Sequence, residues 1–152
     1  MLYHLLTANY LLTVAFGSWF AAQVCKTLLN LYHTRSFSFE RLFGAGGMPS
    51  AHSALVCSTV IAMAKKTGPS SPVFALSVIL AAVVMYDAMG VRRSAGEQAK
   101  ILNRLMSSWM DEDAQEEPQN EKRLKELVGH TPFEVLSGAL LGILIGMLIP
   151  VF

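Results

Sequence analysis

The chain has 152 residues, room for one domain, and at 53% hydrophobic and 15% charged it is too apolar for an ordinary soluble fold. Its net charge of +1 and the absence of a basic stripe give no support to a DNA or RNA partner. Cys25 and Cys57 both fall in apolar runs, where a thiol packs as a small hydrophobe, and they neither make a metal spacing nor imply an oxidising compartment.

Residues 1–10 lack the basic flank and small-residue cleavage site of a secretory leader, so the first apolar stretch, roughly Asn9 to Tyr32, reads as a permanent membrane span. Lys26 lies near its far end. A polar connection with His33, Arg35, Glu40 and Arg41 leads to a second apolar run, Ala51 to Ala64, which is short for a span. Lys65 and Lys66 extend it only by snorkelling to the opposite interface. The cluster Thr67-Gly68-Pro69-Ser70-Ser71-Pro72 is a turn, and Val73 to Met89 is a third run of spanning length. Tyr86, Asp87, Gly90, Arg92 and Arg93 mark where that run leaves the apolar zone.

From Ser94 to Met110, Ile101, Leu102, Leu105, Met106, Trp109 and Met110 recur at helical spacing with Glu97, Lys100 and Arg104 between them. This predicts an amphipathic helix, lying along the membrane interface or packed against neighbouring spans. Residues 111–120 are acidic, lack large apolar side chains and contain Pro118, so they read as a solvated loop without chemistry. A short helix is expected from about Glu121 to Val128, and a last apolar run from Val135 to Phe152. Gly138, Gly142 and Gly146 form a small-residue stripe on that run, a face for close helix contact and one through which the chain can form a homo-oligomer. The expected fold is all-α, an integral membrane bundle of about four transmembrane helices plus an interfacial amphipathic helix.

Four crossings bring the end of the first span, the start of the second, the end of the third and the start of the fourth to one membrane face. Lys26, the loop before His52, Arg92 with Arg93, and His130 with Glu134 then share one level. Ionisable groups at membrane depth are costly and face a polar cavity or a partner, so a shared level predicts one polar pocket. Of the twelve Lys and Arg residues only Lys65 and Lys66 belong to the other face, which places the pocket on the cytoplasmic side.

The stretch Gly44-Ala45-Gly46-Gly47-Met48-Pro49-Ser50-Ala51-His52 suits an anion site. Glycines admit close approach, Ser50 is a good N-cap, and the first turn of the helix presents unpaired N–H groups beside His52. An ordinary loop-to-helix junction with a histidine at its polar rim accounts for the same stretch. Two histidines with several cations, and no serine-elbow motif, suit phosphate-ester chemistry better than acyl transfer. One histidine would attack phosphorus and the other protonate the leaving oxygen. Glu134, four residues after His130, can fix its tautomer from the next helical turn. Thr131-Pro132-Phe133-Glu134 is equally a capping box with proline at the first helical position, which explains Thr131 and Glu134 with no catalysis at all.

At these residues the chain resembles the type 2 phosphatidic acid phosphatase superfamily, which includes the vanadium haloperoxidases, and specifically its small divergent branch of integral membrane proteins. Three segments carry the resemblance, which covers nearly the whole chain: Gly46 to Ala54, Tyr86 to Arg93, and Gly129 to Glu134. It implies that Lys26 and Arg35 grip phosphate, and that Ser50 and the backbone at Ala51 bind it while His52 acts as general acid. It further implies that Arg93 or Arg92 adds a cation, that His130 is the nucleophile, and that Glu134 orients His130. Asp87 and Thr131 are candidate supporting residues. The spacing of Lys26 and Arg35, Ala51 in place of a glycine, Glu134 in place of an aspartate, and the segment inserted between the arginines and His130 depart from the wider pattern.

The function implied is a membrane phosphatase acting on a lipid phosphate monoester, such as phosphatidylglycerophosphate or phosphatidic acid, at the cytoplasmic face. It needs no metal or other cofactor, and vanadate is expected to mimic the phosphoryl transition state. The alternative is a non-catalytic anionic-lipid-binding or assembly protein that keeps the pocket without turnover. Transport has less support, because the runs show no two-fold repeat.

Overall fold

The computed structural model describes residues 9–34, 47–112, 124 and 129–152. Arg35, most of the acidic segment and most of the short helix expected near Glu121–Val128 lie outside the described residues. Every regular element described is an α-helix: α1 (Tyr10–Thr34), α2 (Ala51–Thr67), α3 (Pro72–Met89), α4 (Val91–Glu112) and α5 (Pro132–Leu148).

The helix boundaries follow local chemistry. Ser50 caps α2 by accepting the Ser53 N–H, and Gly68, at φ +81°, ends that helix by donating to Ala64 O. Ser71 caps α3, with Pro72 at the first turn, where a missing N–H costs nothing. Thr131 and Glu134 form a complete capping box at the start of α5. Only Gly90 separates α3 from α4, so the amphipathic helix begins at Val91, three residues earlier than its apolar spacing predicts.

The helix α2 is central and packs against α1, α3 and α5, whereas α4 touches only α3 among the described helices. Interior side chains are small: Ala22, Ala51 and Ala54 in one cluster, Val56, Cys57, Ala81 and Ala139 in another. Large apolar side chains such as Phe20, Leu76, Leu80, Leu140 and Met147 point outward. This inverts the packing of a soluble bundle and suits a hydrocarbon surround, where close backbone approach replaces hydrophobic collapse. Tyr10–Tyr32 and the continuous stretch Pro72–Ser108 are long and apolar enough to cross a membrane.

The glycine stripe of α5 is used inside the chain. A Cβ on Gly138 would fall on the carbonyl of Ser50, one on Gly142 on the carbonyl of Ala54, and one on Gly146 would lie 2.8 Å from Cβ of Ile61. The face expected to serve a homo-oligomer is therefore covered by α2, because two four-residue small stripes fit each other backbone to backbone. Both sequences ascend together, so α2 and α5 run parallel and start at the same end.

The helix α1 runs antiparallel to α2. Ser18 Oγ donates to Ala54 O at 3.0 Å, and eight residues later Lys26 lies against Gly47. Tyr10 Oη donates to Ile149 O at the opposite end. There Lys65 Nζ donates to the carbonyls of Gly146, Met147 and Ile149, capping the negative end of α5. Lys66 reaches the carbonyl of Phe152.

Candidate active site

The first turn of α5 builds one side of the site. Pro132 and the capping box start the helix immediately after His130, and the carboxylate of Glu134 turns back over that start. Its Oε2 accepts the Thr131 N–H at 2.9 Å and lies 3.2 Å from His130 Nδ1. The two accounts of Glu134, cap and histidine partner, are thus both satisfied by one oxygen. With Nδ1 engaged by a carboxylate, Nε2 is the nitrogen left for chemistry.

His130 is buried, at 6% exposure. Its N–H donates to Ala88 O, the last turn of α3, at 3.0 Å. Gly129, at φ +99°, sits so close to the backbone of Arg92 and Arg93 that a Cβ there would come within 2.5 Å of Arg93 N. The segment is thereby drawn into the corner between α3 and α4, a constraint that sequence spacing alone does not show. The glycine directly before the histidine was its one visible signal.

The start of α2 builds the other side. Ser50 donates its N–H to Glu134 O at 3.0 Å, tying the two helix starts together. The hydroxyl of Ser50 is fully buried and receives both the Ser53 N–H and the Ser53 hydroxyl. Ser50 is therefore engaged as a cap and tether, and the helix-start donors without an intrahelical acceptor are the N–H groups of Ala51 and His52. The side chain of Ala51 packs between α1 and α5, so only its backbone is suited to an anion. His52 is exposed, next to this turn.

Cations surround the two helix starts. Lys26 is buried and crosses Gly47, whose φ of +86° and missing side chain leave it room: a Cβ there would lie 3.3 Å from Lys26 Cε. Lys26 lies within electrostatic reach of Glu134, and His52 within reach of Arg92, His130 and Lys26. Arg92 pairs with Asp87 at 2.5 Å across the Gly90 bend, whereas Arg93 pairs with Glu97 along α4 at 3.2 Å. Asp87 thus partners an arginine and not a histidine, and Arg92 is the arginine whose charge His52 feels. Both pairs are half exposed and contribute little stability, but the first fixes where the guanidinium sits.

The structure thus brings Lys26, the α2 start, His52, Arg92, His130 and Glu134 to one end of the bundle. Among the described residues no three His, Cys, Asp or Glu side chains form a metal-holding group. Such an end can bind an anion, offer an oriented imidazole and supply a second imidazole for proton transfer.

A family profile described as the divergent PAP2 family matches residues 7–145. The "Uncharacterized membrane protein YuiD" of Bacillus subtilis (strain 168) is 37% identical over 154 residues, covering 97% of this chain and 98% of that protein. No solved structure matches the chain.

Proposed function

The chain belongs to the divergent PAP2 family, and on that premise we propose that it is a membrane phosphatase that hydrolyses a lipid phosphate monoester through a histidine nucleophile. The observation that carries this reading is the carboxylate of Glu134 on Nδ1 of buried His130, beside the capped start of α2.

In the proposed reaction His130 Nε2 attacks phosphorus in line with the ester oxygen. The P–N bond forms as the P–O bond breaks, and protonated His52 gives its proton to the departing lipid oxygen. Lys26, Arg92 and the α2 N–H groups stabilise charge on the equatorial oxygens, and Glu134 steadies the imidazolium character that His130 gains. Water then attacks the phosphohistidine, His52 takes its proton, and the P–N bond breaks to release phosphate and restore both histidines. No step needs a metal, and vanadate is expected to occupy the same position as the phosphoryl group.

Four crossings by α1, α2, α3 and α5, with α4 along the interface, fit the helix directions and the outward-facing large apolar side chains. The site end then faces the cytoplasm, since by their order in the sequence the basic residues other than Lys65 and Lys66 are assigned to that side of a four-crossing chain. Those two lysines are bound to carbonyls at the far end, which accounts for their place on the other face.

The test is phosphate release from phosphatidylglycerophosphate, phosphatidic acid and a prenyl pyrophosphate by the protein in nanodiscs. Vanadate-sensitive release from a monoester is the expected result. Saturable lipid binding with no release from any of the three would overturn catalysis in favour of an anionic-lipid-binding protein.

A further inference from the structure

Among the described residues nothing satisfies the side-chain acceptor of Gln23 in α1. Gln23 is buried, at 9% exposure, and its Oε1 has no hydrogen-bond partner among them. A buried carbonyl without a donor is costly, and polar groups at membrane depth are expensive enough to mark binding positions. A methionine would fill the same volume without that cost.

The helix register places Gln23 at the level of the candidate site. Ser18 bonds the carbonyl of Ala54 and Lys26 lies against Gly47, so Gln23, between them on the antiparallel helix, falls at the level where α2 begins. Its neighbour Ala22 packs with Ala51 and Ala54. Lys26 follows one turn later, on nearly the same face.

Resting on the phosphatase reading, we infer that Gln23 is a substrate-specificity residue whose Oε1 accepts a hydrogen bond from a free hydroxyl on the lipid head group. The phosphoryl group is a poor source of that hydrogen. Lys26, Arg92 and a helix N-terminus favour the fully ionised phosphate, which has no O–H to give and is repelled by a carbonyl oxygen. The donor must then come from the other side of the ester, which selects a lipid phosphate with a hydroxyl-bearing head group over one whose phosphate is esterified directly to diacylglycerol.

The experiment compares phosphatidylglycerophosphate, which carries such a hydroxyl, with phosphatidic acid of the same acyl chains, which does not. The wild type is expected to favour the first by about tenfold or more in kcat/KM, since a site built to bond a hydroxyl rejects the analogue lacking it. Gln23→Met should bring that ratio to within about twofold, with Gln23→Leu as the second variant should the first fail to fold. A parallel arm measures equilibrium binding of the two lipids by native mass spectrometry in a His130→Asn background, with and without Gln23→Met. If the wild type hydrolyses neither lipid, the phosphatase reading falls, and the binding ratio still decides the role of Gln23. A ratio that the substitution leaves unchanged overturns the inference.

Discussion

Glu134 Oε2 lies 3.2 Å from His130 Nδ1 while accepting the Thr131 N–H at 2.9 Å, so one carboxylate oxygen both starts α5 and holds the imidazole. Replacement by an amide separates the two roles.

Glu134→Gln keeps an acceptor for Thr131 and should cost under about 1 kcal/mol of stability. It cannot place negative charge on His130, so turnover should fall about 10²-fold or more. Thermal unfolding in detergent and a phosphate-release assay check the two halves. Near-normal kinetics would leave Glu134 as a cap alone. Glu134→Ala removes both roles and should lower stability and turnover together.

His130→Asn should abolish turnover while the protein stays folded, because the bond from residue 130 to Ala88 O is a backbone bond that survives the substitution. His130 is buried, so asparagine is a gentler probe than alanine, which would leave a larger cavity. A rapid quench at alkaline pH with radiolabelled lipid phosphate should trap an acid-labile phosphoryl group on the wild type and none on the variant. Labelling of both to the same extent would remove the nucleophile assignment.

His52 is exposed beside the α2 start, so His52→Ala should leave stability within about 0.5 kcal/mol of the wild type. Its kinetic cost should be greatest for an alkyl phosphate and small for an aryl phosphate, whose leaving oxygen is stable without a proton. Equal losses on the two would mean that His52 binds the substrate and does not protonate it.

Gly142→Ala and Gly17→Ala should have opposite signs. A Cβ at Gly142 meets the Ala54 carbonyl and must separate α2 from α5, at a cost of about 1–3 kcal/mol. A Cβ at Gly17 meets nothing within 4 Å, and a mid-helix glycine-to-alanine change there should stabilise by about 0.5–1 kcal/mol. Thermal midpoints of the two variants read the difference directly. Gly138→Ala pushes on the Ser50 carbonyl, so it should depress turnover beyond what its stability loss explains.

The sequence by itself determined the starts of α2 and α5, because a serine before an apolar run and a threonine three residues before a glutamate satisfy backbone donors locally, with no help from the rest of the chain. It determined the apolar runs of α1, α3 and α5 for the same kind of reason, and it marked Gly138, Gly142 and Gly146 as one face. Periodicity says which side of a helix is small but not what covers it. Only the tertiary structure decided that the stripe meets Ser50, Ala54 and Ile61 of the same chain, a contact that packs together the two helix starts that four crossings already bring to one level. The choice between Arg92 and Arg93 depended on a bend at Gly90 that turns one toward Asp87 and leaves the other along α4 with Glu97. The orphan carbonyl of Gln23 was likewise invisible in sequence, since whether a buried glutamine finds a partner depends on every helix around it and not on its own neighbours in the chain.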